Sequence, residues 1–366
     1  MKAIDLEQIV KNFEIAGDFL DAAPYGTGHI NDTYVSRFKT EKGIARFIHQ
    51  RINQEVFKEP EKVMENIQRV ITQLRKKIQA TGGDVERETL NLIPARDGKW
   101  YYKTSDGSYW RTFIFIEGAR TYDTVENLEM AYEVGYAFGK FQQMISDLPG
   151  SPLHETIPDF HNTKKRFQSF IESLKKDVEN RARGVKEEIE FVRKHADEVS
   201  HILNLYKEGK IPERITHNDT KFNNVMIDDQ TKKAICIIDL DTVMPGFSIY
   251  DFGDCVRIGA STAAEDEEDL SRVSLDLSMF DKLAHGYLDA SRSFLTSIEI
   301  DYLAFASKLM TFECGMRFLA DYLDGDIYFK IRREKHNLDR CRTQFKMVED
   351  MERKMEQMIK IVDEYR

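Results

Sequence analysis

From Arg214 to Asp241 the chain reads RITHNDTKFNNVMIDDQTKKAICIIDLD, with His217, Asp219, Asn223 and Asn224 close together and Asp239 and Asp241 closing an apolar run. Carboxylates and carboxamides supply the hard oxygen ligands that suit magnesium. A positioned carboxylate can also accept the proton of an attacking hydroxyl. NVMID and AICII are short β-prone runs separated by the polar DDQTKK, which predicts a hairpin with the Asp/Asn loop at its entrance and Asp239 at its exit. Asn224 and Asp239 are then expected to face one divalent ion, with Asp219 reaching a substrate hydroxyl. Phosphoryl transfer from a nucleotide needs such a set, because positioning and charge neutralisation carry much of its catalysis. His217 is expected to orient the loop through a hydrogen bond, and Lys221 to help neutralise the transferred phosphate. Taken singly, Asp and Asn are ordinary turn residues that satisfy local backbone groups. The joint spacing H-x-D-x-x-x-x-N, followed by an Asp at the end of the next apolar run, is what points to chemistry.

The rest of the chain must position these groups. Residues 5–14 suggest a short helix and 19–24 a strand, after which YGTGHINDTY forms a glycine-bearing turn and VSRF and ARFIHQRI read as strands. In 59–80, Val63, Ile67, Val70, Ile71 and Leu74 recur as a helical stripe, with Pro60 in the first turn. Strands are expected at 89–95, 99–104 and 109–117. Helices are expected at 125–146, as one or two long ones in 164–208, and at 270–294, 299–323 and 346–365. This order predicts an α+β, two-lobed chain: a small β-rich lobe over 1–118, and a larger, mainly helical lobe over 119–366. Trp100 and Trp110 are expected to pack the small lobe.

The chain has 366 residues, with 53 Lys and Arg against 63 Asp and Glu, a formal charge of -10. That balance argues against broad affinity for nucleic acid or an anionic membrane. The four cysteines form no CxxC pair and read as reduced structural thiols. No apolar signal core opens the chain and no run of eighteen apolar residues follows, so a soluble, cytoplasmic protein is expected. His154 and His161 flank ETIPDF without an HExxH pattern, so zinc is not expected there. That segment reads either as part of an acceptor pocket or as a packing loop.

The stretches GHINDTY, FIHQRIN, HETIPDFHNT, THNDTKFNNV, CIIDLDTVMPG, YDFGD and RFLADYLDGDIYF span Gly28 to Phe329. On them the chain resembles the aminoglycoside phosphotransferase and choline kinase-like superfamily, which shares the protein-kinase two-lobed fold. Within it, the chain is most similar to N-acetylhexosamine 1-kinase-like proteins. The resemblance implies an ATP- and Mg2+-dependent kinase that phosphorylates the anomeric hydroxyl of N-acetylglucosamine or N-acetylgalactosamine, with another sugar, choline or an aminoglycoside as the alternative acceptor; a non-catalytic kinase-like binding protein is the remaining alternative. It implies Asp219 as the catalytic-loop aspartate, with Asn224 and Asp239 as metal ligands. The Asp251-Phe252-Gly253 letters do not follow the hairpin directly. Asp251 and Asp254 are therefore expected to support the next helix start and the loop around the site. Asp241 stays open between support of the metal site, a metal contact and local structure.

In the small lobe, Gly26 and Gly28 suit a turn that brings backbone N–H groups near phosphates. The resemblance implies that His29 and Asp32 touch the sugar. FIHQRIN offers Arg51 where a kinase lysine is expected, and its guanidinium fork suits phosphate oxygens. Glu65 on the following helix is its expected partner, although both residues also read as surface positions. The nucleotide base is expected against Phe115–Gly118, including Glu117. In RFLADYLDGDIYF the resemblance points Arg317 and Tyr328 toward the sugar, while periodicity alone turns Arg317 to solvent. The partners implied are ATP and a small sugar, with no nucleic acid or membrane, and either a monomer or a homo-oligomer.

Overall fold

The computed structural model describes residues 5–26 and 30–366 and shows a kinase-like α+β fold, β-rich at the amino end and mostly helical after it. In chain order the elements are α1 (Leu6–Val10), β1 (Asp18–Pro24), β2 (Asp32–Thr40), β3 (Gly43–Arg51), α2 (Pro60–Ala80), β4 (Leu92–Ile93), β5 (Tyr102–Lys103), β6 (Tyr109–Ile114) and β7 (Ala119–Arg120). Next come α3 (Leu128–Ile145), α4 (Thr163–Lys176), α5 (Lys186–Lys194), α6 (His201–Lys207), β8 (Arg214–Thr216), β9 (Val225–Asp228), β10 (Ala234–Ile237) and β11 (Met244–Gly246). The chain ends with α7 (Ser248–Gly259), α8 (Leu277–Ser291), α9 (Ser297–Asp301), α10 (Leu303–Leu323) and α11 (His336–Glu364).

Two compact units form. The first comprises residues 1–120, 147–158 and 226–244; the second comprises 121–146, 159–225 and 245–366. In the first, an antiparallel sheet runs β1-β2-β3-β6-β4, with β5 also on β6. The stripe of α2 is buried as its spacing requires, each fully buried aliphatic contributing about 1.5–3 kcal/mol. Asn66 on this helix holds the two later segments. Its amide donates to the carbonyls of His154 (2.8 Å) and Val243 (3.1 Å). Trp110 is buried against Phe13 and Ala95, whereas Trp100 is more than one-third exposed, so only one tryptophan packs this core. The strand expected at 89–95 shrinks to β4, because Asn91 turns its side chain back onto the carbonyls of Val85, Glu86 and Thr89.

In the second unit, α3 and α8 pack backbone to backbone. A Cβ on Gly286 would stand 2.0 Å from the Tyr132 carbonyl oxygen, and one on Gly135 would stand 2.3 Å from that of Leu283. Nearly all of α10 is buried, charged residues included. Lys308 is paired with Glu198 at 2.7 Å, as burial of a charge demands. The 164–208 region breaks into α4, α5 and α6. Asp177 ends α4 in a left-handed conformation and its carboxylate takes the N–H groups of Arg181 and Ala182. The last helix begins at His336, ten residues before the expected 346, because its first turns carry polar residues that are buried by tertiary contact. All four cysteines are buried free thiols. Among the described residues no helix is long and apolar enough to cross a membrane.

Candidate active site

The loop after β8 is held by two aspartates of α7. The Asp251 carboxylate, almost wholly buried, accepts the N–H groups of His217 and Asn218 (both 2.8 Å) and the Gln142 amide (2.7 Å). Gln142 is held in turn by the Tyr287 hydroxyl at 2.7 Å. Asp254 accepts the Thr220 N–H at 3.0 Å and pairs with Arg257 at 2.9 Å. Burial opposes its charge, yet Arg257 and His161 hold its carboxyl below the usual carboxylate range. Asn218 sits in the left-handed region (φ 64°), which Asn tolerates better than most residues. Two glycines permit the close approach. A Cβ on Gly246 would lie 2.3 Å from Thr216 Oγ1, and one on Gly259 would lie 2.1 Å from the Phe222 ring.

On this scaffold the loop residues His217, Lys221 and Asn224 gather around Asp219. The Asp219 carboxylate is 3.0 Å from Lys221 Nζ and 3.2 Å from Asn224 Nδ2, which also donates to the Asp219 carbonyl at 2.8 Å. The His217 ring lies edge-on to Phe138 and Phe141, and its Nδ1 faces the Asp219 N–H at 3.3 Å. The Asn224 amide nitrogen is turned to Asp219, and no bond to its carboxamide oxygen is seen among the described residues. An oxygen donor of this kind fits a hard divalent ion.

A second group of charges adjoins this loop. His161 lies between Glu313 Oε1 (3.1 Å) and the Asn218 carbonyl (3.0 Å). Arg317 NH1 is 3.8 Å from the same Glu313 oxygen, and its Cζ lies 5.3 Å from the Phe160 ring and 5.5 Å from the Phe329 ring. Arg317 is thus turned inward, not to solvent as helical periodicity alone suggests. Tyr328 is exposed, on a turn whose N–H groups at Ile327, Tyr328 and Phe329 all donate to Asp321. Neither Glu313 nor His161 was picked out from sequence as a pair. The available signal was a glutamate at helical spacing from Leu309 and Met316, within the apolar stripe.

In the first unit Asp239 takes a left-handed conformation (φ 59°) and opens a tight turn over Leu240–Thr242. Side chains fasten that turn. Thr156 Oγ1 donates to the Asp241 carbonyl at 2.7 Å, and the buried Asp241 carboxylate receives a two-pronged Arg111 and the Asn31 amide at 2.6 Å. Asp241 therefore serves as an internal anchor, and Arg111, which sequence reasoning passed over, is its counter-ion. A charge inside the apolar run YWRTFI was the one hint. Asn31 Oδ1 accepts the Asn53 N–H at 2.9 Å, tying the residue before β2 to the chain just after β3.

Arg51 does not pair with Glu65. It stands directly across β2–β3 from Asp32 and bonds that carboxylate, while Glu65 takes His154 Nε2 at 2.9 Å. Cross-strand register brings Arg51 and Asp32 together regardless of what the helix offers. Near the expected base-binding stretch, Phe115 N–H donates to the Arg46 carbonyl at 3.1 Å. The carbonyls of Glu117 and Gly118 accept from Arg87 at 3.0 and 3.2 Å, so the chain itself engages these three backbone groups. Glu117 also pairs with Arg46, whose guanidinium stacks on Phe115 at 3.7 Å. Gly26 has the positive φ (77°) that a glycine turn requires. Gly28 and His29 lie outside the described residues.

Residues 21–284 match the model of the phosphotransferase enzyme family. A microcompartment-associated aminopropanol kinase is similar over 96% of this chain and 97% of its own, with 15% identity and a TM-score of 0.60. A spectinomycin phosphotransferase, solved with ADP and spectinomycin, is similar over 98% and 100%, with 12% identity and a TM-score of 0.59. Choline kinase from Cryptosporidium parvum Iowa II is similar over 95% of each chain, with 15% identity and a TM-score of 0.55. At these identities the likeness is one of fold. With the family model spanning most of its length, the chain belongs to the phosphotransferase enzyme family and is an ATP-dependent enzyme that phosphorylates a hydroxyl of a small molecule.

Proposed function

We propose that the acceptor is a small neutral sugar, an N-acetylhexosamine phosphorylated at its anomeric hydroxyl to give the sugar 1-phosphate and ADP. The observation that carries this reading is the inward-facing Arg317, bracketed by Phe160 and Phe329 and linked through Glu313 and His161 to the Asp219 loop. A guanidinium between aromatic faces suits sugar hydroxyls and an amide carbonyl, and it repels a cationic acceptor.

In this reading Asp219 accepts the proton of the acceptor hydroxyl as oxygen approaches the γ-phosphorus. Lys221 neutralises charge on the transferred group, and the His217 backbone, pinned by Asp251, keeps the loop in place. The Asn224 carboxamide oxygen and the Asp239 carboxylate are the magnesium ligands we assign. Bound magnesium would neutralise the nucleotide phosphates. His29 and Asp32 near the glycine turn, with Tyr328, are proposed acceptor contacts. Arg51, Gly26, Gly28 and Phe115–Gly118 are proposed nucleotide contacts, and the Arg51–Asp32 pair must open or shift if both roles hold.

A second reading has its own support: the similar structures named above include kinases of aminopropanol and choline and a phosphotransferase of spectinomycin. The buried Glu313 offers an oxygen with no hydrogen-bond partner among the described residues, which suits an ammonium group. One acceptor screen separates the two. With Mg-ATP, ADP release is followed with N-acetylglucosamine, N-acetylgalactosamine, glucosamine, choline, aminopropanol and an aminoglycoside. Transfer to the N-acetylated sugars that is lost in Asp219→Asn supports the first reading. Transfer confined to the amino acceptors replaces it with the second.

A further inference from the structure

His161 faces two groups that can only accept hydrogen bonds. Its Nδ1 is 3.1 Å from the Glu313 carboxylate and its Nε2 is 3.0 Å from the Asn218 carbonyl. A neutral imidazole carries one N–H and can serve only one of them; the doubly protonated ring serves both. Asn218 is the residue immediately before Asp219, and its own N–H is already held by Asp251 at 2.8 Å. Both backbone polar groups of Asn218 are therefore gripped by side chains, the N–H by a carboxylate and the carbonyl by His161. Because Asn218 directly precedes Asp219, a rotation about its backbone would re-aim Asp219.

We infer that His161 is held as an imidazolium by Glu313 and is a positioning residue that fixes the Asn218 carbonyl and so the direction of the Asp219 carboxylate. This rests on the reading of Asp219 as the proton acceptor. The charged and titratable groups around the ring come from each packed element: Glu313 and Arg317 from α10, Asp254 and Tyr250 from α7, and Arg166 from α4 by way of Phe160. Burial alone would lower the basicity of His161, but Glu313, the Asn218 carbonyl and Asp254 raise it above the ordinary histidine value. Glu313 is held ionised in turn: burial opposes its charge, while His161, Arg317 and Arg166 bring its carboxyl below the usual range.

Two measurements on the full chain test this. Nitrogen chemical shifts of the His161 ring, recorded without nucleotide or acceptor, should show both nitrogens protonated at pH 7.5. In Glu313→Gln the ring should be neutral at that pH. A neutral ring in the unaltered protein overturns the inference whatever the acceptor proves to be. The second measurement is the pH profile of kcat for ADP release, with the acceptor found by the screen or with water if none is found. Glu313→Gln should move the alkaline limb down by about one pH unit or more, with the KM for Mg-ATP within about two-fold. His161→Gln should lower kcat about 10–100-fold on the plateau below that limb and abolish the limb. An alkaline limb unmoved in Glu313→Gln, while the ring titration does move, overturns the positioning role. A silent Asp219→Asn variant in the same assay would indict the proposed base and leave the ring-protonation result standing.

Discussion

Replacing Asp251 by Asn is the most direct probe of how the loop is built. The carboxylate receives three donors: the Asn218 N–H on Oδ1, and the His217 N–H and the Gln142 amide on Oδ2. Asn has one oxygen to offer. Set toward His217 and Gln142, it keeps those bonds as neutral ones and turns an NH2 group onto the Asn218 N–H. An unpaired buried N–H costs about 1–3 kcal/mol, and losing charge assistance on two further bonds adds about 1 kcal/mol. The expected destabilisation is about 3 kcal/mol, a large share of a typical folding free energy. Urea unfolding followed by far-UV circular dichroism measures it. Amide exchange should show faster exchange specifically at His217 and Asn218, and kcat should fall about 100-fold as the aim of Asp219 is lost. Asp251→Asn within about 0.5 kcal/mol of the parent, with unchanged exchange at those two amides, would refute the claim that this carboxylate holds the loop.

Three further outcomes are expected. His49 is buried between the Ser36 and Thr112 hydroxyls (2.6 and 2.8 Å), and burial pushes its pKa down to about 3. The folded value lies below the unfolded one, so its contribution is complete above pH 6.5 and drains away toward pH 3. It reaches a loss of about 4–5 kcal/mol at the acid end. His49→Gln should flatten the stability curve over that window in acid-unfolding titrations. Gly286→Ala forces a methyl group onto the Tyr132 carbonyl and should cost about 2–3 kcal/mol, seen as a lower Tm; an unchanged Tm would contradict the close packing of α3 on α8. Arg111→Met strands the Asp241 carboxylate in the core with Asn31 as the one remaining side-chain donor among the described residues. It should destabilise by about 3–5 kcal/mol in chemical denaturation, and the double change with Asp241→Leu should recover much of the loss.

Much of the architecture is legible in local pattern, because strand and helix periods and turn chemistry are properties of neighbouring residues. The buried stripe of α2 and the long antiparallel pair β2–β3 stand where spacing puts them, and the runs NVMID and AICII form the strands β9 and β10. The phosphotransferase family is likewise matched by the chain's own sequence, over residues 21–284. The loop letters HNDTKFNN bring His217, Lys221 and Asn224 into contact with Asp219 because they are close to it in the chain.

Tertiary structure decided which charges meet. His161 and Glu313 are 152 residues apart and Arg111 and Asp241 are 130 apart, and no local spacing signals either pair. Arg51 took Asp32 in preference to Glu65 because strand register put that carboxylate opposite. An ionisable side chain in a folded interior must find a partner to offset its lost hydration, and which partner it finds depends on the packing of distant elements. Residue types and spacing thus determined the family to which this chain belongs and the loop in which Asp219 stands. Only burial determined which distant charges hold that loop in place.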